Sequence, residues 1–551
     1  MTYDPRDFRR YFEHEFTYLA GFLRNVGRFG SHVALLDPAS GRSWTYRQLG
    51  ADVDRLAVAL SALDVSRGNR VVYQLFNGPE FALCYLAIQR IGAIGVPVNY
   101  RLAGGELAHI LKDSEPAALV YDTEVGRNVE AALASAAVPR TVAVGDGEPL
   151  PGALRFRDLI VGAEGAPPPL PEDFSTYEET TRLYTSGTTG MPKGVALPSL
   201  VEVMSAHDVI MHFPLSPYDR TLNMTPWFHR GGLYSGGPNP VFYVGGSVVP
   251  MRAFDPATTL DWVDEYGITF LIGAPTTLEM IAREQERQPR TLATLKGVVT
   301  MGAPLDRAAA LRYQRLLTPR IFNGYGTTET FWNTFLRPED LPDRAGSAGR
   351  ACTDDDVAVV RVDRDRRAAP DDTVPRDGHT PGEVIMRSPK SGFAYVNLPN
   401  VQEEKFYHGW LYPGDIATWD DDGFITILGR KDDMIISGGE NVHPVQVEAC
   451  LAEHPGVADA AVVGVADAHW GQRIVAYVVR KDASTSADDL DAHCRASNNL
   501  ANFKRPRGYR FVDALPMTAT GKKMHFKVAE WATADDRAGL FEVPTRNLKG
   551  N

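Results

Sequence analysis

From residue 70 onward, short apolar runs alternate with longer segments whose apolar positions recur at helical spacing. Residues 71–75, 94–98 and 118–121 read as strands, and residues 80–90 and 106–111 as helices with one apolar face. Continuously apolar strands separated by amphipathic helices predict parallel sheets covered by helices. Strand-like runs recur at 247–251, 269–272 and 298–300. The proline-rich stretch Gly165-Ala166-Pro167-Pro168-Pro169-Leu170-Pro171 reads as a stiff connector. The charged stretch 361–377 reads as an exposed hairpin or loop. The pattern changes near Gly429-Arg430-Lys431-Asp432-Asp433. Beyond it a helix is expected around 445–453, strands at 460–465 and 474–479, and a helix near 488–498. About 120 residues remain there, enough for one small α+β domain.

Composition narrows the class. A chain of 551 residues is too long for one hydrophobic core, and 44% hydrophobic with 23% charged residues is typical of a soluble globular protein. A net charge of -12 argues against nucleic acid or an anionic membrane as the main ligand, while leaving room for a locally basic nucleotide pocket. The four cysteines (Cys84, Cys352, Cys450, Cys494) are far apart and lack metal or redox spacing, so they read as reduced packing residues. Met1-Thr2-Tyr3-Asp4-Pro5-Arg6-Asp7 lacks the apolar core of a signal peptide. No apolar run reaches transmembrane length, and Leu548-Lys549-Gly550-Asn551 is not a peroxisomal address. A cytoplasmic location is expected.

The chemistry is concentrated in a few strings. Tyr184-Thr185-Ser186-Gly187-Thr188-Thr189-Gly190-Met191-Pro192-Lys193-Gly194 combines glycines, hydroxyls and a lysine directly after a short apolar stretch. Glycines let the backbone turn tightly, so N–H groups and hydroxyls can surround a phosphate while Lys193 supplies charge. The spacing is not that of a Walker loop. A second string is Asn323-Gly324-Tyr325-Gly326-Thr327-Thr328-Glu329-Thr330, which taken alone reads as a turn leading into a helix. Others are Thr225-Pro226-Trp227-Phe228-His229-Arg230-Gly231-Gly232, Gly302-Ala303-Pro304-Leu305, Gly409-Trp410-Leu411-Tyr412-Pro413-Gly414-Asp415 and Leu515-Pro516-Met517-Thr518-Ala519-Thr520-Gly521-Lys522.

In this order the strings resemble the AMP-forming acyl-CoA synthetases of the adenylate-forming superfamily, over roughly residues 30 to 530. The resemblance extends to 4-chlorobenzoate–CoA ligases and fatty acid–CoA ligases. It implies an α/β fold: a large N-terminal domain of stacked α/β sheets with a small β-barrel-like part, residues 1–430, and a small mobile α+β C-terminal domain, residues 431–551. The hinge would lie near Asp432.

The implied ATP and AMP contacts are Thr185, Ser186, Gly187, Thr188, Thr189 and Lys193 around the phosphates. Gly302, Ala303 and Pro304 would line the adenine and acyl pockets, and Asn323, Gly324, Tyr325 and Gly326 the adenine. Thr328 would meet the α-phosphate, and Asp415 and Arg430 the ribose. Glu329 and Thr188 would hold Mg2+. His229 would shape access to the point where acid and ATP meet; general-base work is not needed, because a carboxylate is already ionised at neutral pH. Lys522 would stabilise the charge that builds up during adenylation. Two positions depart from the family pattern: Pro413 stands where Thr is usual, and Met301 where Gly or Ser is common.

After adenylation, rotation of the small domain would withdraw Lys522 and bring Gly438 and Gly439 toward the acyl-adenylate, opening a path for the CoA thiol. Trp470, Phe503, Arg505 and Arg101 are the implied CoA contacts, although Trp470 and Phe503 read equally well as core residues. An aromatic-rich lining around Phe331-Trp332-Asn333-Thr334-Phe335 suits an aromatic or medium-chain acid. Arg230 is expected to point to solvent.

The expected reaction is acid plus ATP giving acyl-AMP and pyrophosphate, then a thioester with CoA and release of AMP. The competing reading is an adenylating enzyme that loads a separate carrier protein. A luciferase-type oxidation and a non-catalytic scaffold are minor alternatives. Expected partners are a small carboxylate, ATP and CoA, with no nucleic acid and no integral membrane segment; a homodimer would be unsurprising.

Overall fold

The computed structural model describes residues 4–185, 191–362, 367–437, 440–467, 470–497, 500–518 and 522–545. The chain divides into two compact units. One comprises Met1–Ala345, Gly349–Asp356 and Met386–Leu411; the other comprises Gly346–Ala348, Val357–Ile385 and Tyr412–Asn551.

The first unit holds two mixed, mostly parallel sheets. In one, the strands run in the order Leu154–Arg155, Arg140–Val144, Ala118–Asp122, Arg70–Gln74, Ile94–Pro97, Glu179–Thr185 and Lys193–Pro198. The strands at 70–74, 94–97 and 118–122 match the sequence reading closely, and so do the helices Pro79–Arg90 and Gly104–Ser114. Ile94–Pro97 and Ala118–Asp122 are buried throughout, which is why they read as continuous apolar runs rather than alternating ones. In the second sheet the parallel neighbours are, in order, Ile321–Thr327, Gly297–Met301, Phe270–Gly273, Arg220–Asn223, Ser247–Val249 and Val33–Asp37. Phe331–Leu336 adds antiparallel to Ile321–Thr327, and Arg350–Ala351 pairs outside it.

In the second unit, Val457–Asp467 pairs antiparallel with Gly471–Arg480, and Gly508–Phe511 joins parallel to the latter. Alternate residues serve opposite faces, as the strand period requires. Ala460, Val462, Ile474 and Ala476 pack with Val447, Leu451 and Leu490 of the helices Pro444–Ala452 and Ala487–Ala496. Ala461, Val463, Val475 and Tyr477 pack with Val528 and Ala532 of the helix His525–Arg537. The stretch expected to be a hairpin or loop after Asp356–Val360 is a hairpin at its base, where Val360 bridges Thr373 and Arg361 N donates to Asp372 O. All four cysteines are buried thiols. Among the described residues no helix is long and apolar enough to cross a membrane.

Each unit also contains a buried ionic cluster. In the first, Lys390 is 2% exposed, and its ammonium lies 2.8 Å from Asp355 Oδ2 and 3.1 Å from Asp208 Oδ2. Burial opposes this charge, but Asp208, the Cys352 thiol and Asp355 outweigh it and raise the lysine pKa. Asp208 also meets His212 Nε2 at 3.1 Å, and Arg337 donates to His212 Nδ1 at 2.8 Å. Asp208, His212 and Cys352 thus converge as metal ligands do, but Lys390 and Arg337 already supply the positive charge there.

In the second unit, Glu448 accepts from Val462 N at 2.8 Å and pairs with His525 Nε2 at 2.6 Å and with Lys523 Nζ at 3.2 Å. Burial works against the His525 cation, but Glu448 and Asp433 more than offset this and raise its pKa.

Two outcomes are expected. Lys390→Met leaves two carboxylates buried without their cation, a loss of about 3–5 kcal/mol, so the melting temperature of the full chain should fall by roughly 5–10 °C. An unchanged melting curve contradicts that reading.

The second concerns pH. Because the folded pKa of His525 is raised, its ion pair contributes fully below the unfolded value of about 6.5 and is lost as pH rises through the folded value. The melting-temperature gap between wild type and His525→Gln should therefore be widest near pH ~6 and shrink toward pH ~9. A gap constant across that range rules out the linkage.

Candidate active site

The larger sheet of the first unit brings three of the sequence motifs to one edge. Arg220–Asn223, Phe270–Gly273, Gly297–Met301 and Ile321–Thr327 are parallel neighbours, so the segments that follow them leave from the same carboxyl edge. Ligands of open α/β sheets bind outside the carboxyl ends of the strands. Thr225–His229, Gly302–Pro304 and the Tyr325–Glu329 string all lie there.

Each segment is held by its own contacts. Asn223 is fully buried; its side-chain amide donates to Gly231 O and Ser235 O at 3.0 and 2.8 Å, and its Oδ1 accepts from Thr225 N at 2.9 Å. Asn77 Oδ1 accepts from Trp227 N at 2.8 Å. These two asparagines fix the Pro-Trp-Phe-His loop and leave the half-buried His229 at the start of the short helix Arg230–Tyr234, its ring against Phe228. Gly302 directly follows its strand with φ +88°, a conformation suited to glycine.

The Tyr-Gly-Thr-Thr-Glu string is not a turn into a helix. It is the end of one strand and the tip of a β-hairpin, in which Thr327 faces Phe331 and a bulge follows Tyr325. Only glycine fits at 326, where a Cβ would lie 1.5 Å from Phe331 O. Phe331 adopts φ +62° and is braced by stacking on Trp332 at 4.9 Å. Strain of this kind persists only where the surroundings over-determine it.

The surroundings here do so. Thr330 Oγ1 contacts Thr327 Oγ1 at 3.2 Å and donates to Asn333 Oδ1 at 2.6 Å, and Asn333 Nδ2 donates to Asp355 Oδ2 at 3.1 Å. Tyr395 OH donates to Glu329 Oε1 at 2.5 Å. The hairpin tip is thereby coupled to the Lys390 cluster.

Arg230 corrects the expectation that it points to solvent. It is 4% exposed, donates to Thr328 O and, at 2.7 Å, to Lys390 O, and lies over the rings of Tyr234 and Phe331. Burial lowers its pKa to about 10, which still leaves it charged at neutral pH. Two acceptors distant in sequence draw it inward, and no local pattern announces them. For the same reason Asn77, Asn223, Asp355, Lys390 and Tyr395 escaped sequence reasoning.

In the other sheet of this unit, Thr185 faces Lys193 at the end of an antiparallel pair where the chain passes from one strand to the next. Tyr184 OH donates to Asp113 at 2.6 Å, fixing one side of that end. Ser186, Gly187, Thr188 and Thr189 lie outside the described residues, as do Gly438 and Gly439. Arg101 is exposed, with its guanidinium near the Tyr100 ring.

In the second unit, Asp415 and Arg430 face each other on neighbouring strands, with Arg430 donating to Asp415 Oδ1 and to Pro413 O, each at 2.9 Å. The carbonyl of the unusual Pro413 thus helps to orient Arg430. Asp432 is exposed just beyond, 4.0 Å from Arg430. Lys522 is exposed, and its backbone exchanges hydrogen bonds with Thr518. Trp470 and Phe503 are 48% and 43% exposed, so neither is a core residue. Arg505 is 8% exposed and pairs with Asp491.

Comparison with known proteins agrees with this arrangement. Residues 22–395 match the AMP-binding enzyme family and residues 446–522 the AMP-binding enzyme C-terminal domain. An indoleacetate–CoA ligase of Aromatoleum aromaticum is 34% identical, spanning 87% of this chain and 92% of its own. A fatty acid–[acyl-carrier-protein] ligase, ScoC, of Streptomyces coeruleorubidus is 33% identical over 88% of this chain and 90% of its own. Among solved structures, the anthranilate CoA ligase AuaEII in complex with anthranoyl-AMP superimposes with a TM-score of 0.84 at 26% identity, covering 95% of this chain and 98% of that one. This chain belongs to the AMP-binding enzyme family of adenylate-forming ligases.

Proposed function

We propose that this enzyme is an ATP-dependent carboxylic acid–CoA ligase. The observation that carries the reading is the strained hairpin tip, where Thr328 and Glu329 are held by Arg230 and Tyr395 at the carboxyl edge of a parallel sheet. Adenylation needs a hydroxyl beside the α-phosphate and a fixed carboxylate for the metal, and this tip offers both. Glu329 accepts Tyr395 on one oxygen, and a carboxylate so held keeps lone pairs for a hard cation. Glu329, with Thr188, would hold Mg2+, which when bound neutralises charge on the phosphates.

In the first half-reaction the acid's carboxylate oxygen attacks the α-phosphorus of ATP and pyrophosphate leaves. Thr185, Lys193 and the intervening loop would hold the phosphates, with Gly302, Ala303, Pro304, Asn323, Gly324, Tyr325 and Gly326 around the adenine. Asp415 suits the ribose because a carboxylate can accept two hydroxyl protons, and Arg430 keeps it oriented. His229 would border the acid. The ammonium of Lys522 would stabilise the negative charge shared by carboxylate and α-phosphate in the transition state.

In the second half-reaction the CoA thiolate attacks the acyl carbonyl and AMP leaves. The exposed rings of Trp470 and Phe503 suit stacking on CoA, with Arg101 as a phosphate contact. Arg505 would have to give up Asp491 to join them. The division into residues 1–430 and 431–551 with a hinge at Asp432 belongs to this proposal, as does a cytoplasmic location. The buried Phe331–Trp332 pair and the aromatic acids named for two relatives favour an aromatic acid over a medium-chain one. The similarity to ScoC favours, as a second reading, transfer to a carrier protein.

The test is incubation with ATP, magnesium, CoA and a panel of aromatic and medium-chain acids, with product masses as the readout. Acyl-CoA is expected, with AMP and pyrophosphate in equal amounts. Acid-dependent AMP without acyl-CoA transfers the proposal to the carrier-protein reading. ADP as the nucleotide product overturns it.

A further inference from the structure

Lys522 and Lys523 are neighbours with opposite surroundings. Residues 516–518 and 522–524 form two short arms joined by a bridge between Met517 and Lys523, by Thr518 N donating to Lys522 O at 2.7 Å and by Met524 N donating to Pro516 O at 2.9 Å. On the second arm the Lys522 side chain is exposed. Lys523, on the alternate side, runs back into the unit. Its ammonium contacts Glu448 Oε2 at 3.2 Å, Asp459 Oδ1 at 2.9 Å and Ala460 O at 2.5 Å, a complete set for three N–H donors.

The acceptors are fixed in their turn. Glu448 projects from the helix Pro444–Ala452 and is 7% exposed; its other oxygen is taken by Val462 N and His525. Asp459 and Ala460 belong to the strand Val457–Asp467. The arm carrying Lys522 is therefore bolted to a helix and a strand through the next residue along.

We propose that Lys523 is a positioning residue for adenylation: its ion pairs with Glu448 and Asp459 hold the arm 522–524 so that Lys522 presents its ammonium to the carboxylate and the α-phosphate. This rests on the role assigned to Lys522 above. A lysine that served only to secure the C-terminal helix would matter equally to every activity of the chain. A positioning lysine matters to the half-reaction that uses Lys522 and little to the other, because displacement of a reacting group by about 1 Å can cost on the order of a hundredfold.

The experiment compares full-length wild type, Lys522→Ala, Lys523→Met and the gentler Glu448→Gln. It measures acid-dependent ATP–pyrophosphate exchange, thioester formation from synthetic acyl-AMP and CoA, and melting temperature. Lys523→Met should lower the exchange rate by about 10–100-fold at saturating ATP, with the thioester step within about threefold of wild type. Glu448→Gln should show a smaller loss in the same half-reaction, and it serves as the test if Lys523→Met does not fold. If exchange survives in these variants, or both half-reactions fall in parallel while Lys522→Ala remains selective for exchange, Lys523 has no positioning role. If Lys522→Ala itself exchanges normally, the role of Lys522 is wrong and this inference goes with it.

Discussion

An ammonium between two carboxylates, closed off from water, underlies the geometry of the first unit. Lys390 bridges Asp208 on the helix Ser199–His212 and Asp355 beyond the hairpin, while its own carbonyl accepts from Arg230. Asp355 passes the constraint through Asn333 and Thr330 to Thr327, and Arg230 passes it directly to Thr328 O. The tip is thus held from two sides by groups that cannot leave without exposing an uncompensated buried charge. That penalty lets a phenylalanine remain at positive φ beside a residue where no side chain fits. A buried ion pair is poor evidence for extra stability, but it specifies one arrangement among many. A catalytic hairpin needs that specification.

The second unit follows the same logic on a smaller scale. The sheet built on Val457–Asp467 carries helices on both faces, and Asp415 and Arg430 lie on strands of another sheet. Asp415 and Arg430 orient each other across adjacent strands, and Lys522 lies beside an anchored neighbour. At Lys522 and Lys523 the side chain assigned to chemistry is exposed, and the charged one assigned to positioning it is turned inward and paired. The two kinds of side chain alternate there, one residue apart.

That alternation explains what the sequence made legible. Strands such as 94–97 and 118–122 were readable because burial on both faces leaves an unbroken apolar run. The glycine-rich and Gly-Lys strings were readable because their chemistry is local. The hairpin was misread as a turn into a helix because its partner strand and the bulge at Asn333 are tertiary facts. Arg230, Lys390 and Lys523 look like solvated charges in a string of letters; their partners are up to 182 residues away, as between Lys390 and Asp208. Nothing in local composition distinguishes such a charge from one in water.

The most direct test of the whole account is the fate of the acid's own oxygen. With an accepted acid labelled with ¹⁸O in its carboxylate, single-turnover reaction with ATP and CoA should place one labelled oxygen in the phosphate of AMP. That follows if a carboxylate oxygen bonds the α-phosphorus and stays there when the thiolate takes the acyl group. Label in inorganic phosphate or pyrophosphate, with none in AMP, would contradict the acyl-adenylate and with it the role given to the hairpin.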